Sequence, residues 1–274
     1  MRNLLLPMLL LFWPTPSLSI INGLPADVSD FRSFVSIRVI SPFPSHGGQE
    51  LNGCGGALVA PDWVLTALHC KPMFEGISKG EASVFGGVNI QSDCSFGARL
   101  CVVEVRFAPV LFGTARLDAM LLKLGADATD HGAKIAPIYQ QDLAIGTPIT
   151  TVGVGQGFDR ALLEYYDCVV ADAAHCDTER ADFDPVHDFC VGVSVSTQRT
   201  GSADSGGPLF VIDPEIEGRY LLAGIVKGGI KAGPSGPEET EFIRYANVGR
   251  LLTWLETVAD CDNDMDSVHS CQGE

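Results

Sequence analysis

Ten short apolar or alternating runs, none longer than seven residues, recur along this chain, at 34–40, 57–60, 63–66, 83–86, 101–106, 119–124, 148–154, 166–171, 209–212 and 220–226. Gly, Pro, Asp and Ser separate them, which is the punctuation of an antiparallel barrel or sandwich and not of a helical protein. One segment breaks the rule: Val248, Leu251, Leu252, Leu255 and Val258 recur at three- and four-residue steps and predict one amphipathic helix over 248–259. The expected class is therefore all-β with a single C-terminal α-helix. The polar insert 41–52 and the Gly/Pro/Glu-rich stretch 233–241 read as surface loops.

The first nineteen residues stand apart. Arg2 is followed by an apolar run at 4–13 interrupted only by Pro7, then by Pro14, Pro16 and the small-x-small triplet Ser17-Leu18-Ser19. That is the layout of a secretory signal peptide, and the run is too short to span a bilayer as a helix. Cleavage after Ser19 makes Ile20 the new N-terminus; cleavage after Ser17 would leave Leu18-Ser19 to be trimmed. No second apolar run reaches transmembrane length, so the mature chain is expected to be exported, extracellular or periplasmic, and free of the membrane. About 255 residues remain, enough for one large β unit or two small lobes.

A net charge of −16 speaks against a nucleic-acid partner, because phosphate binding wants clustered Lys and Arg. Nine cysteines in an exported chain read as a disulfide framework with one thiol over. Spacing offers Cys94 with Cys101, Cys261 with Cys271, Cys54 with Cys70, and Cys176 with Cys190, leaving Cys168 odd, either buried in a strand or paired with another chain. No Cys-x-x-Cys or His-Glu-x-x-His is present, so no metal and no cofactor is expected. Asp262, Asp264 and Asp266 alternate as in a calcium loop, but Ser267 replaces the glycine such a loop needs. Residues 260–274 read as an acidic, cystine-closed tail.

Three residues could carry chemistry together. Ser205 lies in Gly201-Ser-Ala-Asp-Ser-Gly-Gly-Pro208, a glycine-rich turn before an apolar strand. A serine hydroxyl is a poor nucleophile unless a base takes its proton. His69 follows the run 63–66 and precedes Cys70, and Asp118 opens the apolar run 119–124. Taken singly, a histidine at a strand end and an aspartate capping a strand are ordinary structural residues. Together they supply base, orienter and nucleophile, in the chain order His, Asp, Ser.

With these blocks in view, the chain from Ile20 to about Leu255 resembles the chymotrypsin/trypsin family of serine proteases. Cys54-Gly-Gly-Ala-Leu-Val and Trp63-Val-Leu-Thr-Ala-Leu-His69-Cys70 look like its histidine block, and Leu117-Asp118-Ala-Met-Leu-Leu-Lys-Leu124 like its aspartate block. Asp204-Ser-Gly-Gly-Pro208 looks like its serine block, while Gly153-Val-Gly155 and Trp254 match further family positions. The resemblance implies two six-stranded antiparallel β-barrels, 20–135 and 136–247, followed by the helix 248–259, with the cleft between the barrels. It implies a catalytic triad of His69, Asp118 and Ser205, and an oxyanion hole from the N–H groups of Ala203 and Ser205. It also supports the disulfides Cys54–Cys70 and Cys176–Cys190, and aligns Cys168 with a buried core strand.

Ile20-Ile-Asn-Gly23 is similar to the family's mature N-terminus, whose ammonium pairs with the aspartate before the serine, here Asp204. No Lys or Arg stands between the signal segment and Ile20, so signal peptidase itself is expected to create the activating end. Several positions depart from the family. Ala203 replaces a glycine in the oxyanion turn, a costly change if that residue needs a conformation hostile to a Cβ. Lys227 and Gly228 stand where a serine bound to the catalytic aspartate and a pocket-wall tryptophan are usual, and Gly201 replaces a cysteine.

The resemblance puts Arg199 at the floor of the primary substrate pocket, with Gly229 and Ile243 lining it. If Arg199 points inward, an acidic or small residue is preferred before the scissile bond, and not Lys or Arg; turned outward, it is a solvated surface cation. The leading expectation is a secreted monomeric serine endopeptidase acting on proteins or peptides and open to protein protease inhibitors. The alternative is a catalytically weak or inactive homologue that binds a protein partner through the same cleft.

Overall fold

The computed structural model describes residues 20–40, 50–73, 82–86, 100, 102–109, 117–155, 163–177, 183–193, 197–229 and 242–259. The expected signal segment 1–19, the pairs Cys94–Cys101 and Cys261–Cys271, the loop 233–241 and the tail 260–274 lie outside them.

Thirteen strands and one helix are described: β1 Leu24–Pro25, β2 Phe34–Ile40, β3 Glu50–Ala60, β4 Trp63–Thr66, β5 Ala82–Gly86, β6 Val102–Phe107, β7 Met120–Leu124, β8 Pro148–Gly153, β9 Glu164–Val170, β10 Asp188–Val193, β11 Pro208–Ile212, β12 Tyr220–Gly229, β13 Phe242–Asn247 and α1 Leu252–Ala259. The first six-stranded sheet runs β5-β2-β3-β4-β7-β6. The second runs β9-β10-β13-β12-β11-β8 and closes on itself through the β8–β9 ladder, with β1 added on β9. Every pairing between these strands is antiparallel, as the short punctuated runs predict.

Each lobe has its own apolar filling, Val35, Ile37, Leu58, Val64, Met120 and Leu122 in the first and Ile149, Tyr166, Leu209, Val226, Ile243 and Tyr245 in the second. A third cluster crosses between them, joining Phe34, Leu65 and Leu121 to Phe210, Leu222, Ile225 and, from α1, Leu255. Phe31 stands at that seam, its ring 5.7 Å from Phe210 and 4.8 Å from Tyr220. Since a buried large apolar side chain contributes roughly 1.5–3 kcal/mol, this shared cluster holds the lobes in one fixed relation.

Several elements differ from the sequence reading. Residues 50–52 extend β3 instead of belonging to a loop. The strands β10 and β13 were not anticipated, although Phe189 and Val191, and Ile243 and Tyr245, alternate correctly into the core. The terminal segment begins as a 3₁₀ turn, Val248–Leu251, before α1. The disulfides Cys54–Cys70 and Cys176–Cys190 are present, and Cys168 is a free, buried thiol whose ionisation burial pushes well up.

Candidate active site

The histidine and the aspartate come from neighbouring ends of the first sheet. All four residues of β4 are buried, and the chain then enters a 3₁₀ turn, Leu68–Met73, that carries His69. Thr66 Oγ1 donates to Gly55 O at 2.7 Å and Cys70 is bonded to Cys54, so both sides of the turn are fastened to β3. Thr66 faces Met120 in the β4–β7 ladder, which brings the residues just beyond each strand end together. The His69 N–H donates to Asp118 Oδ1 at 2.8 Å, and Nδ1 lies 2.7 Å from Oδ2. The Asp118 side chain is 11% exposed and that of His69 41%, so the carboxylate is sunk and the ring open. With Nδ1–H donating to the carboxylate, Nε2 is left as the acceptor.

Ser205 arrives from the second lobe on the turn before β11. Gly55 N–H donates to its carbonyl at 2.8 Å, and Cys70 Sγ lies 3.8 Å from the same oxygen. On the other side Gly206 N–H donates to Val226 O at 2.8 Å and Val226 N–H to Gly207 O at 2.9 Å. Gly206 has φ +75°, and an added Cβ would stand 2.2 Å from Thr66 Oγ1 and 2.7 Å from Ala67 N. Only glycine meets both demands. The turn is thus pressed against the histidine-bearing segment. Among the described residues no hydrogen bond joins the His69 ring to the Ser205 hydroxyl; such bonds commonly tighten only when substrate is bound.

The main-chain N–H groups of Asp204, Gly206 and Gly207 are all bonded within the protein, whereas those of Ala203 and Ser205 have no acceptor among the described residues. Ala203 holds φ +73°, a left-handed conformation that costs a Cβ-bearing residue on the order of 1–2 kcal/mol. Asp204 is buried, with Oδ2 accepting Gly201 N–H at 2.7 Å and Oδ1 accepting Gly155 N–H at 3.1 Å. Burial outweighs those two bonds and raises its carboxyl to about 7. It has no ion pair among the described residues. Ile20 is fully buried in the second-lobe core, and Ile21 exchanges both backbone hydrogen bonds with Arg199, at 2.9 and 3.3 Å.

Ile243 is fully buried on β13 and faces Gly229, the exposed end of β12, across the ladder. Arg199 is half-buried, and its backbone is tied to Ile21. Lys227 does not turn to Asp118. Its Nζ lies 2.8 Å from Asp188 Oδ2, with side-chain exposures of 6% and 3%. Asp184 and His187 sit beside this pair, His187 Nδ1 at 2.8 Å from Asp184 Oδ2. Sequence reasoning missed Asp188 altogether. No local signal links two residues 39 apart through a buried ion pair. Among the described residues no group of three or more His, Cys, Asp or Glu side chains is arranged to hold a metal ion.

The arrangement offers an oriented imidazole, a serine on a glycine-backed turn and two main-chain N–H groups with no acceptor among the described residues, all at the junction of the lobes. A family model described as Trypsin matches residues 20–255. Over 228 residues the chain is 29% identical to coagulation factor XII from Cavia porcellus, covering 75% of this chain and 36% of that protein. Over 227 residues it is 26% identical to serine proteinase stubble from Drosophila melanogaster, covering 78% of this chain and 28% of that protein. The chain therefore spans about a third of the length of these relatives.

Proposed function

The chain belongs to the trypsin family of serine proteases, and we propose that it is a secreted serine endopeptidase working through His69, Asp118 and Ser205. The observation that carries the reading is the double contact of Asp118 with the backbone and ring of His69, on a turn that backs onto the carbonyl of Ser205.

In this mechanism His69 Nε2 takes the hydroxyl proton as Ser205 Oγ attacks the peptide carbonyl. The carbonyl oxygen, now negative, is met by the N–H groups of Ala203 and Ser205. The tetrahedral species collapses, the C–N bond breaks, and His69 returns the proton to the leaving amine. Water, deprotonated by the same ring, then releases the acyl group. Asp118 keeps the Nδ1–H tautomer and stabilises the imidazolium formed in each half-reaction. The amine of Ile20, freed by cleavage of the 19–20 bond, pairs with Asp204 and lowers its carboxyl back into the ionised range. Arg199 gives the primary pocket a cationic floor with Gly229 at its mouth, and Ile243, buried in the second-lobe core, leaves little depth behind it, which suits acidic or small side chains. Two disulfides in the described residues support export.

The test is fluorophosphonate labelling of the secreted protein with Ser205→Ala as control. Labelling that vanishes in the variant supports an activated serine. Absence of labelling in folded, Ile20-started protein sinks the reading. One observation favours the second reading, a weak or inactive homologue binding a partner through its cleft: Ala203, in the turn that would supply the oxyanion donors, holds a left-handed φ of +73° that is costly for a Cβ-bearing residue.

A further inference from the structure

Beyond Val226, strand β12 loses one of its neighbours. Its ladder with β11 ends at Pro208↔Ile225, and Val226 is held by the serine turn. From there only β13 pairs with it among the described residues, through Gly228↔Arg244 and Gly229↔Ile243. Among the described residues the other edge of Gly228–Gly229 carries no strand, and it begins next to the serine turn; it is the kind of edge on which a peptide adds as a further strand. Gly228 and Gly229 bring no side chains to anchor it, and a β-bulge falls at Lys227.

The bulge is pinned from beneath. Lys227 Nζ meets Asp188 Oδ2, both side chains buried, and that same oxygen accepts the N–H of Asp184 at 2.9 Å. Asp188 N–H donates back to Asp184 O at 2.7 Å, and Asn247 N–H donates to His187 O at 2.8 Å. Lys227 is thereby tied to a segment that is itself tied to β13. We propose that Lys227, acting through Asp188, is a positioning residue that holds the Gly228–Gly229 edge at the spacing a bound peptide strand requires. This rests on the proteolytic reading above. A buried ion pair is a poor source of net stability, but it fixes geometry, and removing one partner strands the other charge.

Because Lys227→Met or Asp188→Asn alone can unfold the lobe, the variant to use is Lys227→Met/Asp188→Leu, which replaces the pair by apolar groups. Lys227→Arg, which keeps the charge, serves as rescue. Two substrates are compared in the Ile20-started protein, with one and with four residues before the scissile bond. The double variant is expected to lose at least ~10-fold in kcat/KM on the long substrate relative to the short one, mostly in KM, with Lys227→Arg close to the parent. Amide exchange of residues 224–229 is expected to quicken while 208–212 stays protected. An unchanged long-to-short ratio overturns the proposal. If the parent neither labels nor cleaves, the proteolytic reading fails by itself and exchange decides: faster exchange at 224–229 keeps the clamp, equal exchange overturns it.

Discussion

One carboxylate, Asp118, holds His69 twice, by its main-chain N–H at 2.8 Å and by ring Nδ1 at 2.7 Å. Each contact uses a different carboxylate oxygen, so the ring plane and the backbone of the turn are set together.

Asp118→Asn exploits that arrangement. If the amide oxygen keeps the His69 N–H, its NH₂ must face Nδ1, and the ring has to carry its proton on Nε2. That is the wrong tautomer for a base. The expected loss in kcat is on the order of 10⁴-fold with little change in KM, read from steady-state kinetics and labelling rate. A loss below tenfold would mean that Asp118 does not orient the base.

Ala203→Gly should help. The φ of +73° costs alanine on the order of 1–2 kcal/mol, while glycine adds back roughly 0.5–1 kcal/mol of chain entropy. A small net gain in stability, under about 1 kcal/mol, is expected in thermal unfolding, with kcat/KM equal or higher. A fall in both would show that alanine is at ease there and that the weak-homologue reading loses its support.

Gly206→Ala and Gly218→Ala separate two costs. Both glycines have φ +75°, but nothing lies within 4 Å of a Cβ at Gly218, whereas at Gly206 it would strike Thr66 and Ala67. Gly218→Ala is expected to cost about 1 kcal/mol. Gly206→Ala should cost at least about 2 kcal/mol more and abolish labelling, because backbone on both sides must move. Equal unfolding midpoints for the two variants would contradict the close packing of the serine turn.

The pH dependence of the unprocessed chain follows from Asp204, whose carboxyl burial raises to about 7 from an ordinary 3.8. A raised carboxyl binds its proton in the folded state where the unfolded chain has released it. The contribution of Asp204 to stability is therefore fullest below about pH 4 and is lost as pH rises through 7. In a chain retaining residues before Ile20, this contribution should lower Tm by several degrees between pH 4.5 and 8. The Ile20-started form, with an ammonium beside the carboxylate, should not show that loss. Parallel melting curves for the two forms would rule out the proposed Ile20–Asp204 pair.

Arg199 predicts specificity. A peptide library should show Asp, Glu or small residues favoured before the scissile bond and Lys and Arg depleted, with Arg199→Ser relaxing the preference by ~10-fold or more. Preference for Lys or Arg in the parent would place the Arg199 side chain outside the pocket.

The β-rich class, the helix and the reactive blocks were legible in the sequence, because each is written locally; the two described disulfide pairs came from the family resemblance and not from spacing. A glycine turn, a Cys beside a His, or an apolar run keeps its meaning wherever the chain goes. The strands β10 and β13 were hidden although Phe189, Val191, Ile243 and Tyr245 alternate into the barrel core, because Asp188, Cys190 and Arg244 interleave with them and disguise the run. What Lys227 does could not be read at all. The sequence showed only that a family serine was missing, and nothing local pointed to Asp188. The fold brings β10 and β12 to either side of β13, and burial then requires the lysine to find a carboxylate. The left-handed turn at Ala203 and the raised carboxyl of Asp204 are likewise tertiary outcomes. The sequence by itself determined which groups are present and which lie near one another along the chain; the packing of two sheets decided which of them are desolvated, strained or paired.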